Sequence, residues 1–223
     1  MELYDIMRTA FSAREYTSDP VPDDIIYKIL ENARFAPSGG NRQGWKVIII
    51  RNKISKEKIA ELAVPGAKRY AAQRNAGENP WNSIVPSSVS QEVIENTPPS
   101  PKIQMTYVDA PVILMVCVDL RVVAAMDQYL DRIGLISGAS IYPFVWNILL
   151  AAKNEGYGGR ITTIPVSQEK KLQEYFHIPT HFAIAAIIPL GQPVKNLTRL
   201  SRKPVEDFAI NEFWDGTKLS PDG

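Results

Sequence analysis

The chain has 223 residues, of which 45% are apolar and 22% are charged, and its formal net charge at pH 7 is +1. These values are ordinary for a globular protein, and they exclude nucleic-acid binding through bulk positive charge. No run of about 18 apolar residues is present, so we expect no transmembrane helix and no membrane partner. The N-terminus lacks the apolar stretch of a signal peptide, and the single cysteine, Cys117, cannot form a disulfide within one chain. We therefore expect a cytoplasmic protein with a buried, inert thiol.

Residues 2–64 predict three helices and one strand. A short helix is expected over 2–10, and a longer one over 22–35, where Ile25, Ile26 and Ile29 recur at helical spacing. The β-branched run 46–51 predicts a buried strand. Ser55 is a candidate N-cap for a helix that runs through Val64.

Residues 65–107 are rich in Pro, Ser and Asn, with weak periodicity. A long segment without regular structure is usually a functional lid or a disordered insertion. Tyr70 and Trp81 favour a lid that packs on something, and a solvated loop is the alternative.

The second half of the chain predicts two long strands around a central helix. Residues 111–119 are strongly apolar, and 134–155 are apolar on almost every side, with Pro143 expected to kink or break that helix. A glycine cap, a short strand, a capped helix over 167–175 and a last buried strand follow. This order predicts one α+β domain over residues 1–223, with a mainly antiparallel or mixed sheet flanked by helices.

The C-terminal extension, residues 192–223, is polar and irregular but carries Phe208, Phe213 and Trp214. Such aromatic rings are expected to be buried, and an interface with a partner subunit is one candidate for their burial.

The bend between the second helix and the first strand contains Pro37, Ser38, Gly39, Gly40 and Asn41. One interpretation is a helix C-cap followed by a turn, because Gly and Asn tolerate left-handed backbone angles. The other is a surface where backbone and small side chains approach a flat ligand. The bend alone does not choose between them.

No catalytic triad, zinc motif or Gly-x-Gly-x-x-Gly stretch is present, and no metal is expected at His177 or His181. Four segments together nevertheless resemble the nitroreductase-like flavoproteins in order and spacing: "FSAREY" (11–16), "APSGGNRQGW" (36–45), "GYGGRITTIP" (156–165) and "LSRKPVEDF" (200–208). The stretches "PSGG", "TTIP" and "RKP" are similar to the branch that contains iodotyrosine deiodinase.

The resemblance implies a nitroreductase-like homodimer with two FMN molecules at the subunit interface. It places Ser12, Arg14 and the C-terminal Arg202 at the ribityl-phosphate end, and the bend of one subunit against the flavin of the other. "ITTIP" would pass the flavin N5 edge, where a backbone N–H serves N5. The full set of implied cofactor-binding residues is Phe11, Ser12, Ala13, Arg14, Pro37, Ser38, Gly39, Asn41, Thr162, Thr163 and Arg202.

Two departures from the family pattern stand out. An arginine usually lies two residues before the serine, often followed by a second basic residue, but this chain has Ala10 and Phe11, with Arg8 as a possible substitute. In the deiodinase-like branch a threonine directly precedes the proline, where this chain has Ile164. The second departure favours two-electron reduction.

Three functions stay open. The first is an NAD(P)H-dependent FMN enzyme that passes hydride to a nitroaromatic, quinone or activated alkene by a ping-pong mechanism, with no certain catalytic side chain. The second is a reductive dehalogenase or flavin-converting enzyme of the same family. The third is a non-catalytic flavin-binding protein.

Overall fold

The structure is a computed structural model that describes residues 2–220. Within that range it contains seven α-helices and four β-strands, joined by short 3₁₀ turns. In chain order they are α1 (Leu3–Thr9), α2 (Asp23–Ala33), β1 (Trp45–Ile50), α3 (Lys53–Asn75), α4 (Gln91–Asn96), α5 (Met105–Val108), β2 (Val112–Asp119), α6 (Tyr142–Asn154), β3 (Gly158–Gly159), α7 (Glu169–Tyr175) and β4 (Phe182–Gly191).

The four strands form one sheet in the order β1-β2-β4-β3, and every neighbouring pair is antiparallel. Val47 pairs with Val116 on one side of β2, and Ala186 pairs with Val116 on the other. The register of β2 and β4 shifts after Val116, which marks a bulge. The predicted α+β class with a mainly antiparallel sheet is confirmed.

Helices cover both faces of the sheet, so β2 is buried along its whole length. Because successive side chains of a strand point to opposite faces, Leu114 and Val116 join one apolar cluster, while Met115 and Cys117 join the other. The first cluster includes α2 and α6, and the second includes α3, α5 and α7. Burial raises the pKa of the Cys117 thiol to about 11, which agrees with the predicted inert cysteine.

Helix α3 is longer than the sequence suggested, and the prediction of a helix from Ser55 to Val64 is wrong at both ends. Its N-cap is Asn52, whose side chain accepts hydrogen bonds from the backbone N–H groups of Ile54 (2.8 Å) and Ser55 (3.3 Å). The helix continues through Pro65 to Asn75. Close packing favours this continuation, since a Cβ on Gly66 would lie only 2.8 Å from the carbonyl oxygen of Ile164.

The expectation that residues 65–107 lack regular structure is also wrong in part. Residues 65–75 belong to α3, and α4 and α5 lie within the same stretch. The loop between α3 and α4 is tied together by Glu78, whose carboxylate accepts hydrogen bonds from the Ser87 hydroxyl (2.6 Å) and the Ser88 N–H (2.7 Å). A lid role for this region stays a prediction.

Helix α6 begins later than predicted, because a 3₁₀ turn over Ile136–Ser140 precedes it and Pro143 lies in its first turn. Proline is well tolerated there, so it starts the helix instead of kinking it. The helix is also not buried on all sides of a single subunit. Tyr142 and Trp146 are 46% and 40% exposed, while Phe144 packs in the core.

Two further details differ from the sequence interpretation or extend it. Helix α7 starts at Glu169, and the Ser167 hydroxyl donates to the carbonyl of Ile164 instead of capping the helix.

In the C-terminal extension Trp214 is 94% exposed, so its ring is not covered by its own chain. The end of that predicted extension, 221–223, lies outside the described residues. Among residues 2–220 no helix combines the length and apolarity needed to cross a bilayer.

Candidate functional site

The N-terminal motif is held like an extra strand between β3 and the start of the C-terminal extension. The Ala13 N–H donates to the carbonyl oxygen of Gly159 (3.2 Å), and the Val194 N–H donates to that of Glu15 (3.1 Å). Ala13 is completely buried, whereas Ser12 and Arg14 on either side of it are exposed. The alternation therefore presents a hydroxyl and a guanidinium at the surface.

The C-terminal extension brings two more cations, Lys195 and Arg202, to the same place. A cavity of about 470 Å³ is lined by Phe11, Ser12, Arg14, Glu15, Lys195, Leu197, Leu200 and Arg202. Three of these side chains are cationic and one is anionic. The cavity thus joins two predicted motifs that are far apart in the chain. Lys203, the basic residue next to Arg202, is not among its lining residues.

A second cavity, of about 420 Å³, adjoins the first at Arg14. Its lining residues are Arg14, Glu15, Tyr16, Ser100, Lys102, Ile103, Met105, Thr106, Asp109 and Arg160. Arg160 is partly buried and makes no hydrogen bond or ion pair within residues 2–220. Burial lowers the pKa of its guanidinium, Tyr16 and Tyr107 raise it, and the like charge of Arg14 lowers it. Because the guanidinium has no partner among these residues, its positive charge is available to a ligand.

In the segment after Arg160, the two predicted threonines differ in their hydrogen bonds and in their exposure to solvent. Thr162 pairs with Ile187 through its N–H (2.9 Å) and its carbonyl (3.0 Å), and its hydroxyl lies 3.1 Å from the hydroxyl of buried Tyr107. Thr163 is exposed, and its backbone N–H donates to no atom of the part of the chain that the structure describes. The Thr163 N–H is thus a free donor of this segment, while the polar groups of Thr162 are engaged inside the chain.

The bend 36–44 contains an ordered turn of its own and is not simply a helix cap. Helix α2 ends at Ala33, and its C-cap residue Arg34 has ordinary helical angles. Gly40 and Asn41 have positive φ values of 62° and 53° in a short 3₁₀ turn. The Gly39 N–H donates to the Ser140 hydroxyl (3.1 Å), which anchors the turn beside the start of α6.

The structure does not bring the bend together with the other predicted residues within one subunit. Pro37, Ser38, Gly39 and Asn41 line neither of the two cavities. Their proposed place against the flavin of a partner subunit is compatible with this separation and stays a prediction.

The sequence model of the nitroreductase family matches residues 7–192. The chain belongs to the nitroreductase family. This match confirms the resemblance to the family, although the fourth motif, 200–208, lies beyond the matched residues. Members of this family are flavin oxidoreductases.

Curated relatives of this chain include proteins with different named activities. An NADH dehydrogenase of Thermus thermophilus is 28% identical over 206 residues, which cover 89% of this chain and 90% of the relative. The iodotyrosine deiodinase of Nematostella vectensis is 23% identical over 214 residues, which cover 94% of this chain and 74% of the relative.

Solved structures show the same fold. A BluB-like flavoprotein of Clostridium difficile 630 has a TM-score of 0.70 at 23% identity, covering 96% of this chain and all of its own. An iodotyrosine deiodinase bound to FMN and 3-iodo-L-tyrosine has a TM-score of 0.64 at 21% identity, covering 92% of this chain and 96% of its own.

Arg8 does not take the place of the arginine that the family pattern leads us to expect at position 10. Arg8 lies over the ring of Tyr4, at 5.9 Å from its centroid, and lines neither cavity, so its expected role as a substitute is not supported. Instead, Lys153 approaches Phe11 from α6. A small third cavity of about 110 Å³ is lined by Ala10, Phe11, Ser12, Trp146, Leu149, Lys153, Tyr157, Gly158, Gly159 and Arg202.

Sequence reasoning missed Lys153, Lys195 and Arg160. Lysines are common in the last turn of a helix and in polar tails, so nothing in the pattern linked Lys153 or Lys195 to the site. A signal did exist for Arg160, because it lies directly between the glycine pair and "ITTIP".

Proposed function

We propose that this nitroreductase-family chain binds FMN in the adjoining cavities that meet at Arg14. The observation that carries the proposal is the convergence of Ser12, Arg14 and Arg202 on one cavity whose charge is mainly positive. Ser12, Lys195 and Arg202 would hold the phosphate, since guanidinium and hydroxyl donors suit a phosphate dianion. Arg14 would contact the ribityl part, and the cavity of Arg160 would hold part of the ring system.

The surroundings fit a redox cofactor as well as an anion. FMN, when bound, supplies hydride transfer, and the protein supplies binding, orientation and electrostatics. The free N–H of Thr163 is a preorganised donor for charge that develops on a neighbouring acceptor atom. Arg14 and Arg160 add a positive field, which is strengthened by the partial burial of Arg160.

We also propose that the functional unit is a homodimer. Apolar side chains of α6, of the turn before it and of the C-terminal extension remain exposed in a single subunit, and large exposed apolar patches mark interaction sites. The exposed side chains concerned are Leu135, Tyr142, Trp146, Phe208, Phe213 and Trp214. Association through them would bring the bend of one subunit to the flavin of the other. Sedimentation should show a dimer of the FMN-bound protein, and a stable, FMN-bound monomer would contradict it.

The proposed reaction is the reduction of an electron-poor small molecule, such as a nitroaromatic, quinone or activated alkene, at the expense of NADH or NADPH. Donor and acceptor would use the same open face in turn, which is a ping-pong scheme. The NADH dehydrogenase name of one relative supports the donor. Residues 76–104 would form the lid that selects acceptors, and deleting residues 78–100 should change acceptor preference while FMN stays bound.

Reductive dehalogenation is a second candidate, and one observation favours it. Thr163 is exposed three residues after Arg160, so a threonine hydroxyl is accessible, although Ile164 occupies the position next to Pro165. We favour two-electron reduction, because the hydroxyl expected directly before the proline is absent.

A spectroscopic experiment tests the main proposal. The purified protein, or apoprotein given FMN, should show flavin absorption, and anaerobic NADH or NADPH should bleach it. A subsequent electron-poor acceptor should restore the colour. Failure to bind FMN would contradict the whole proposal. Binding without bleaching by either nucleotide would contradict the reductase and leave a flavin-binding protein.

A further inference from the structure

Lys153, in the last turn of α6, carries a charge that no carboxylate neutralises within residues 2–220. Its ammonium nitrogen lies 5.6 Å from the centroid of the Phe11 ring and 3.5 Å from the side-chain oxygen of Asn196. The nearby carboxylate of Glu155 is already paired with Lys28 at 2.8 Å. Lys153 is therefore a cation held at the site by an aromatic ring and an amide.

Three separate parts of the chain hold Lys153 in place. The residue itself is on α6, Phe11 belongs to the N-terminal motif, and Asn196 belongs to the C-terminal extension. The Phe11 ring face attracts the ammonium through its quadrupole. The same N-terminal motif and C-terminal extension supply Ser12 and Arg202. Lys153 thus lines the small third cavity, which shares Phe11, Ser12 and Arg202 with the cavity of the proposed phosphate site.

The charges around this site favour a dianion. The two cavities that share Phe11, Ser12 and Arg202 are lined by four cationic side chains, and Glu15 is the one carboxylate among their lining residues. The cations are Arg14, Lys153, Lys195 and Arg202. A lysine ammonium on a flexible stem can turn from Asn196 to a phosphate oxygen without a backbone change.

We infer that Lys153 is a phosphate-binding residue that supplies, from α6, the charge absent at Ala10 and Phe11. This inference rests on the proposed FMN binding. The inference also gives Phe11 a role. This chain has no basic side chain at position 11, and the ring of Phe11 instead holds the ammonium of Lys153. Lys153 should consequently determine how strongly the protein prefers FMN over riboflavin, which lacks the phosphate.

The test compares the two flavins on the same apoprotein. FMN and riboflavin are titrated by fluorescence quenching into the wild type, Lys153→Met, Lys153→Gln and Lys153→Arg, with thermal unfolding of each apoprotein as the check on folding. Lys153→Met and Lys153→Gln should raise the Kd for FMN about 10-fold or more and leave the Kd for riboflavin unchanged. Lys153→Arg should keep most of the FMN affinity.

The matched control is Lys171→Met, because Lys171 is an exposed lysine on α7 that lines none of the three cavities. It should bind both flavins like the wild type. The neutral Lys153 variants should also show a weaker dependence of FMN affinity on salt. An unchanged FMN Kd, or an equal loss for both flavins, would overturn the role of Lys153. A wild type that binds neither flavin would instead overturn the proposed function.

Discussion

The central strand β2 and the rim of the candidate site differ in how their side chains are partnered. Every residue of β2 is buried, and its side chains fill apolar clusters on both faces of the sheet. At the rim, Arg14, Lys102 and Arg160 line one cavity without an ion pair in the described chain. The core is thus filled by its own side chains, while three cations at the rim have no ion-pair partner, although Glu15 and Asp109 line the same cavity. Substitutions should therefore separate stability from ligand binding.

The largest effect is expected in the core. Ile148 on α6 is completely buried in the cluster that packs against β2. Ile148→Ala should lower the free energy of unfolding by about 2–5 kcal/mol, because it removes buried methyl groups and leaves a cavity. Chemical denaturation measures this change. Ile84→Ala is the control, since Ile84 is 88% exposed, and an equally large loss there would contradict the explanation.

The next effect concerns the rim and should be confined to binding. Arg14→Ala should weaken FMN binding by about 1.5–3 kcal/mol, the scale of a hydrogen bond to a charged group, with little change in unfolding midpoint. Calorimetric titration of the apoprotein measures it. Arg74→Ala, at an exposed position outside the cavities, should bind FMN normally. Unaltered affinity in Arg14→Ala would remove Arg14 from the site.

A smaller effect, on local stability alone, is expected in the loop between α3 and α4. Hydrogen bonds from Ser87 and Ser88 lower the pKa of the Glu78 carboxyl to about 2, from an ordinary value of 4.5. The ionised form thus stabilises the folded loop above pH 4.5, and the contribution is lost as the pH falls from about 4.5 towards 2.

Hydrogen exchange of the Ser88 amide can follow this loss. Glu78→Gln should speed that exchange at pH 7, without changing exchange in β2. Exchange at Ser88 that is identical in the variant and the wild type would show that the carboxylate does not hold the loop.

The smallest expected effect is at Thr163. If its backbone N–H serves the flavin, Thr163→Ala should leave the course of a stepwise dithionite titration unchanged, because the substitution keeps the N–H. A large, stable semiquinone signal in the wild type that disappears in Thr163→Ala would show one-electron chemistry supported by the hydroxyl. That result would favour the dehalogenase alternative.

Regular patterns in the sequence predicted most of the architecture. The apolar run of β2 and the helical spacing of Ile26 and Ile29 led to the right elements, because burial imposes the period of each structure on the side chains. The motif order also led to the right family. Helix ends were less predictable, as at Pro65, where packing of Gly66 against the 3₁₀ turn competes with the local preference of proline.

The candidate site was predictable only as far as its motifs. Ser12, Arg14 and Arg202 could be named, and the structure brings them to one cavity. The pairing of Lys153 with Phe11 could not be foreseen, because contacts between distant residues leave no periodic trace in one sequence.

The sequence by itself determined the fold class, the family and the absence of an arginine at positions 10 and 11, since these depend on local patterns and residue types. Only the tertiary structure decided which cations face the site and which threonine has a free N–H. Those properties depend on three-dimensional placement: the β-bridge to Ile187 engages Thr162, and the approach of α6 to the N-terminal motif places Lys153 beside Phe11.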